Sequence, residues 1–188
     1  MKIKSVSLTV ALCFAFVLCS THPVMAKMRV TGSGASFPAP LYTTWFQMFS
    51  RANKDIQVTY QSKGSGAGIR DFQNEIVDFA ASDAAMNDEE IAKVKRGVQL
   101  LPMTAGKVVL AYNLKGVKEL KLPREVYPAI FLGKVKKWND PAIVAANPGV
   151  KLPDQEITVV VRADSSGTTY VFSKHLSTIS REFKDSVG

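Results

Sequence analysis

Two stretches of small and hydroxyl-bearing residues lie far apart in the chain, each where a helix is predicted to begin. The first is residues 32–40, Gly-Ser-Gly-Ala-Ser-Phe-Pro-Ala-Pro, and the second is residues 162–169, Arg-Ala-Asp-Ser-Ser-Gly-Thr-Thr. The first turn of a helix has unpaired N–H groups and a partial positive charge, so it attracts anions. Hydroxyls add donors, and Arg162 adds a full charge in a planar fork. Two such stretches facing each other are predicted to enclose a small oxyanion.

Each candidate residue also has a plainer interpretation. Ser36 is typical of a helix N-cap after a glycine-rich turn. Ser65 and Asp83, taken singly, are typical of a solvated turn and a helix cap. Arg162 and Asp164 are more informative, because an acid two residues away can hold the guanidinium beside the Ser-Gly-Thr start of a helix. The glycine-rich stretch is neither a Walker A loop nor a dinucleotide fingerprint, since no Gly-Lys-Ser/Thr follows and prolines interrupt the helix start.

Strand-like and helix-like segments alternate along the chain, which predicts an α/β protein with mostly parallel sheets covered on both sides. In the helix that begins near residues 38–40, Leu41, Trp45 and Met48 have the spacing of one apolar face. The predicted strands are residues 28–31, 57–60, 77–81, 100–103, 108–113 and 157–161. Further helices are predicted over residues 69–76, 88–95, 124–132 and 141–146, and from residue 167.

The candidate residues share a position relative to these strands. Ser36, Ser65, Asp83 and Arg162 each lie just past a predicted strand. Ligands of open α/β sheets bind beyond the carboxyl ends of the strands. We therefore expect these residues on one edge of a sheet, or on facing edges of two.

The N-terminal residues predict a secretory signal peptide over residues 1–26. A basic start precedes an apolar run at residues 6–18, and small residues stand before Lys27. The run is too short to span a bilayer comfortably, and Leu18 is a poor match to a lipidation signal at Cys19. Both cysteines lie in this peptide, so the mature chain is expected to have no disulfide and to depend on an apolar core.

Charge and side-chain chemistry narrow the function classes. The chain has a net charge of +8, and without Lys2 and Lys4 it keeps 22 basic against 16 acidic residues, or +6, which favours anionic partners. The lysine-rich residues 134–138 form too short a stripe, with too few aromatic residues, for a nucleic-acid site. His175 is the single histidine of the mature chain, and no cluster has metal-ligand or nucleophile–base spacing. We expect no enzyme activity, no metal and no cofactor.

Five motifs together carry a resemblance to a known family. They are residues 32–40, Gly-Ser-Gly at 64–66, Val-Asp-Phe-Ala-Ala-Ser-Asp at 77–83, Gly-Lys-Val-Lys-Lys-Trp at 133–138 and Arg-Ala-Asp-Ser-Ser-Gly-Thr at 162–168. In this order the chain resembles the periplasmic phosphate-binding proteins of bacterial phosphate ABC transporters. Each motif alone is weak, but the combination covers the whole mature chain.

The resemblance implies a two-lobed periplasmic-binding-protein type II fold, with a first lobe at residues 27–113 and a second at residues 114–188. Phosphate is expected in the cleft between them. The implied phosphate-binding residues are Ser36, Phe37 (through its backbone N–H), Ser65 and Asp83 on the first side and Arg162, Ser166, Gly167 and Thr168 on the second, with Asp164 holding Arg162.

This chain departs from the family pattern in two respects. The family commonly has threonine and glycine where this chain has Ser36 and Ser165; the first change keeps the hydroxyl, and the second lies beside the site. Chains of this family also return from the second lobe to complete the first. Because this sequence stops at Gly188, we expect an incomplete fold of marginal stability.

The implied function is phosphate binding in the periplasm and delivery to the membrane permease subunits of an ABC transporter, by a monomer that does not bind nucleic acid. The alternatives are a binding protein for another oxyanion and a secreted phosphate-binding or adhesion protein without a transport role. A phosphoesterase would need metal ligands or a nucleophile, for which we find no candidates. Asp83 favours phosphate, because its carboxylate can accept a hydrogen bond from a protonated anion and repels sulfate, which has no proton at neutral pH.

Overall fold

Three parallel strands form the sheet of the first part of the chain. β1 (Met28–Gly34) lies in the centre, with β2 (Ile56–Ser62) on one side and β3 (Phe79–Ala81) on the other. The structure is a computed structural model that describes residues 27–188; the predicted signal peptide lies outside the described residues. The sheet confirms the predicted α/β class with parallel pairing.

Two helices connect the strands. α1 (Ala39–Ala52) joins β1 to β2 and packs against β2, and α2 (Ser65–Gln73) joins β2 to β3 and packs against β1 and β3. α1 starts after Pro38, where a proline suits a first turn whose N–H groups have no helical partner. Neighbouring parallel strands need such crossover connections, and these two helices provide them.

The buried face of α1 differs from the predicted one. Tyr42 and Phe46 pack on the sheet, where Tyr42 meets Tyr60 edge-on at 5.4 Å between ring centroids, whereas the predicted face, including Trp45 and Met48, is largely exposed. Both rows have helical spacing, so periodicity alone does not choose between them. Aromatic contacts with the sheet decide it, because offset and edge-on ring pairs add to the gain from burial.

A second apolar core lies in the later part of the chain. Val126, Ile130 and Ile143 are buried together, and the buried Asn147 side chain forms hydrogen bonds with both the N–H and the carbonyl of Lys121.

The helices of this part are α4 (Tyr127–Phe131), α5 (Pro141–Ala146), α6 (Gly167–Ile179) and α7 (Arg181–Ser186), and α3 (Asp88–Ala92) precedes them. No helix within residues 27–188 has the length and apolar character needed to cross a membrane.

The strands predicted at residues 100–103, 108–113 and 157–161 are wrong. These residues form no strand, and the only nearby pairing is an isolated bridge between Lys137 and Glu156. Val109 is 75% exposed and Val160 is 87% exposed. Their β-branched composition favours extended backbone, but a strand also needs a neighbour for its N–H and C=O groups. Within the described residues that neighbour is missing.

An unpaired, exposed, β-branched run is expected to associate with copies of itself. We predict that Val160→Lys slows self-association of the purified chain severalfold, measured by light scattering, because it replaces an exposed apolar side chain of the run with a charged one and removes no packing. Thr158→Lys is the matched control, since it adds the same charge in the same segment without removing an apolar side chain. If neither variant differs from the parent, this run does not direct association.

Candidate functional site

Three predicted site residues lie at one edge of the sheet. Ser36 follows β1, Ser65 follows β2 and Asp83 follows β3, and all three strands run in the same direction. In the sheet order β2-β1-β3, β2 lies on one side of β1 and β3 on the other, so the topological switch point lies between β1 and β3. Open α/β sheets bind ligands at such a point. The expectation that these residues share an edge is confirmed.

Arg162 reaches the same edge although no strand precedes it. Its Nη1 donates to Ser36 Oγ at 3.1 Å, its Nε donates to Asp164 Oδ1 at 2.5 Å, and its Nη2 donates to Asp164 Oδ2. These hydrogen bonds lower the pKa of Asp164 and raise that of Arg162. The carboxylate therefore holds one edge of the guanidinium, through Nε and Nη2, and Nη1 is left to donate to Ser36.

The carboxylate of Asp83 is only half satisfied. Thr168 Oγ1 donates to Asp83 Oδ2 at 2.6 Å, and the Asp83 backbone N–H donates to Ser65 Oγ at 3.2 Å. Asp83 Oδ1 is buried and has no hydrogen-bond partner among the described residues. A buried acceptor without a partner costs about 1–3 kcal/mol, and more when it is charged. Oδ1 is therefore free to accept a hydrogen bond from a ligand.

The N-terminus of α6 lies against this carboxylate. Ser166 caps the helix by accepting from the Thr169 N–H at 3.2 Å, and Ser166 and Gly167 are both buried. A Cβ on Gly167 would lie 2.2 Å from Ser65 Oγ and 2.9 Å from Asp83 Cβ. Only glycine allows this approach, which brings the open N–H groups of the first turn beside Ser65 and Asp83.

Phe37 stands where its backbone can face a ligand. Its N–H makes no hydrogen bond to another described residue, while its half-exposed ring lies against Gly106, where an added Cβ would come 2.5 Å from Phe37 Cζ. Tyr60 Oη donates to the carbonyl of Ala35 at 2.7 Å and so fixes the backbone just before Ser36 and Phe37. Sequence reasoning missed this role of Tyr60, since a tyrosine on β2 gives no local signal of it.

The geometry can bind a small anion through many donors and one acceptor. The donors are hydroxyls, helix N-termini and one guanidinium, and the acceptor is Asp83 Oδ1. Residues 27–188 hold no group of three or more histidine, cysteine or acidic residues placed for a metal ion. His175, the single histidine among the described residues, forms a hydrogen bond between its Nε2 and Tyr127 Oη at 2.6 Å.

Residues 21–187 match the family model of the PBP superfamily domain. The chain belongs to this superfamily. It is 44% identical over 177 residues to the phosphate-binding protein PstS of Pasteurella multocida, covering 92% of this chain and 50% of that protein. It is 42% identical over 170 residues to PstS of Haemophilus influenzae, covering 89% and 50%. The chain thus spans about half the length of the curated relatives it matches, and the predicted resemblance to phosphate-binding proteins is confirmed.

Solved structures show the same fold. A putative phosphate ABC transporter substrate-binding protein with bound phosphate from Clostridium perfringens matches with a TM-score of 0.59 and 21% identity, over 79% of this chain and 56% of that one. An ABC-type phosphate transport receptor from Vibrio cholerae matches with a TM-score of 0.51 and 21% identity, over 79% and 55%. At this identity the likeness concerns the fold, and it confirms the predicted periplasmic-binding-protein architecture.

The ion pair of Arg162 and Asp164 gives a prediction with a definite sign. Its contribution to stability is present above the unfolded pKa of aspartate, about 3.9, and is lost as the pH falls through the lower folded pKa. We predict that Arg162→Gln raises the pKa of Asp164 towards 3.9, measured by carboxyl-carbon NMR titration. An Asp164 midpoint that is the same in the parent and the variant would contradict this pairing in solution.

Proposed function

We propose that this chain binds inorganic phosphate and that the protein delivers it to an ABC-transporter permease for import. The observation that carries the proposal is the combination of a donor-rich site with one buried acceptor, Asp83 Oδ1, which has no hydrogen-bond partner within residues 27–188. The relatives named phosphate-binding protein PstS and the phosphate-bound structural neighbour support it. No chemical reaction is implied, and the proposed role is binding and release.

The donors solve the problem of holding a multiply charged oxyanion out of water. Ser36 and Ser65 offer hydroxyls, and the backbone N–H groups of Phe37, Gly167 and Thr168 offer further donors, while the Thr168 hydroxyl is occupied by Asp83. Oriented N–H and O–H groups can replace a hydration shell without a full countercharge for each ligand charge. We therefore assign phosphate binding to these residues together with Ser166 and Arg162, with Asp164 in support.

Asp83 would provide the selectivity. A phosphate that keeps a proton can donate a hydrogen bond to Oδ1, whereas sulfate at neutral pH has no proton and meets only repulsion. Thr168 already donates to Oδ2, so the second oxygen is the one left for the ligand. The site would thus reject sulfate through repulsion by the buried Asp83 carboxylate rather than by the size of the anion.

The two apolar cores support a two-lobed arrangement. One core lies around Tyr42 and the other around Ile143, within the proposed lobes at residues 27–113 and 114–188. The site residues come from both parts, so a ligand bound among them would draw the lobes together. We propose that the protein acts as a periplasmic monomer and that the permease recognises its closed form.

Arg162 is the first test. We predict that Arg162→Ala weakens phosphate binding by about tenfold or more, because a hydrogen bond to a charged group is worth about 1.5–3 kcal/mol. Isothermal titration calorimetry of the purified chain with phosphate measures it. Arg181→Ala is the matched control, since it removes a guanidinium that is almost fully exposed and that, among residues 27–188, forms a salt bridge with Asp185 alone. Equal affinities for the parent and Arg162→Ala would remove Arg162 from the site.

Asp83 is tested by exchanging its charge for an amide. We predict that Asp83→Asn gains affinity for sulfate relative to phosphate, while phosphate binding is retained or changes modestly, because the repulsion falls and an acceptor remains. Competition titrations at neutral pH give the ratio. Asp55→Asn, on the turn before β2, is the control for loss of one negative charge.

That comparison, together with a binding assay against the membrane permease, also separates the alternatives. Sulfate that competes equally well in the parent and in Asp83→Asn would favour a general oxyanion-binding protein. A parent that binds phosphate selectively but whose closed form engages no permease would favour a secreted phosphate-binding or adhesion protein.

A further inference from the structure

One backbone contact joins the two parts of the chain beside the candidate site. The Gly66 N–H donates to the carbonyl oxygen of Ser165 at 3.2 Å. Within residues 27–188 it is the only backbone–backbone hydrogen bond between residues 27–113 and residues 114–188. The side-chain bonds from Arg162 to Ser36 and from Thr168 to Asp83 lie around it.

Glycine at position 66 is required by space and not by backbone conformation. A Cβ built on Gly66 would lie 2.0 Å from Ser165 Oγ and 2.8 Å from Ser165 Cβ, whereas the φ of Gly66 is not in the left-handed region. Gly66 is the second residue of α2, where alanine is a better helix former by about 1 kcal/mol. Alanine at position 66 would therefore stabilise α2, but it would displace Ser165 from its contact with the helix.

The position of Ser165 determines the position of two groups assigned to the site. It lies between Asp164, which holds the Arg162 guanidinium, and Ser166, which caps α6. Its carbonyl is fixed by Gly66, next to Ser65 at the start of α2. A shift of Ser165 would therefore move the guanidinium and the first turn of α6 together, relative to Ser65 and Asp83.

We propose that Gly66 is a positioning residue for the anion site, and that the absent side chain at 66 and the hydroxymethyl group of Ser165 form a size-matched pair that sets the distance across the cleft. This inference rests on the proposed phosphate binding. It makes the two positions interdependent: a larger residue at 66 requires a smaller one at 165.

The test is a double-mutant cycle in the purified chain, with phosphate titrated by calorimetry. Gly66→Ala is expected to weaken phosphate binding by about tenfold or more, while its melting temperature stays equal to or above that of the parent. Ser165→Gly is expected to bind like the parent, because it removes only the side chain and keeps the carbonyl. Gly66→Ala combined with Ser165→Gly is expected to regain the parent affinity to within about threefold.

A second measurement keeps this inference separate from the proposed function. Exchange of the residue 66 amide hydrogen, followed by NMR without phosphate, should be slow in the parent, faster in Gly66→Ala and slow again in the double variant. Parent-like binding by Gly66→Ala, or failure of Ser165→Gly to restore binding or exchange, overturns the inference. If the three proteins show this exchange pattern but the parent binds no phosphate, the proposed function is overturned and with it the assigned role, while the contact between residues 66 and 165 stands.

Discussion

The hydrogen bond from Thr168 to Asp83 is the interaction on which the rest of the site depends. It joins the first turn of α6 to the end of β3 and occupies one carboxylate oxygen. The other oxygen is buried and has no partner in the part of the chain that the structure describes. Asp83 can take this place because three parallel strands end at one edge, with Ser65 Oγ accepting its N–H. The sheet thus fixes the acceptor, and α6 brings the donors to it.

The site combines an ion pair and a close glycine contact, each of which is common in proteins when taken alone. Arg162 is partly exposed and donates to Asp164 through Nε and Nη2. An exposed ion pair contributes little to stability, so its value here is geometric: the guanidinium is kept in one orientation towards Ser36. Close packing of Gly167 against Ser65 and Asp83 has the same effect on the helix N–H groups. Binding strength would then come from donors that need no rearrangement when the anion arrives.

The parts of this account that were predictable from sequence are those set by local pattern. The three strands and the turns after them follow from alternating composition, proline placement and hydroxyl residues, so Ser36, Ser65 and Asp83 could be placed at one edge. The exact bounds do not follow, since β1 and β2 run on to Gly34 and Ser62 and the helix after β2 begins at Ser65. The pairing of Arg162 with Asp164 follows from their spacing and was also predicted.

The parts that failed depend on contacts distant in sequence. Residues 157–161 have strand composition but no neighbouring strand among the described residues, and Tyr42 rather than Trp45 is buried because Tyr60 offers a ring. The contact of Gly66 with Ser165 joins residues about a hundred positions apart, and nothing local to either one indicates it. In each case the tertiary contact that a residue makes, rather than its local secondary-structure propensity, decides its structure.

The central claim is that this site binds phosphate and rejects sulfate through Asp83. Calorimetric titration of the purified chain at neutral pH with each anion in turn tests it most directly. The account predicts a saturable heat with phosphate, and no displacement of phosphate by an equal concentration of sulfate. Equal affinity for the two anions would contradict it.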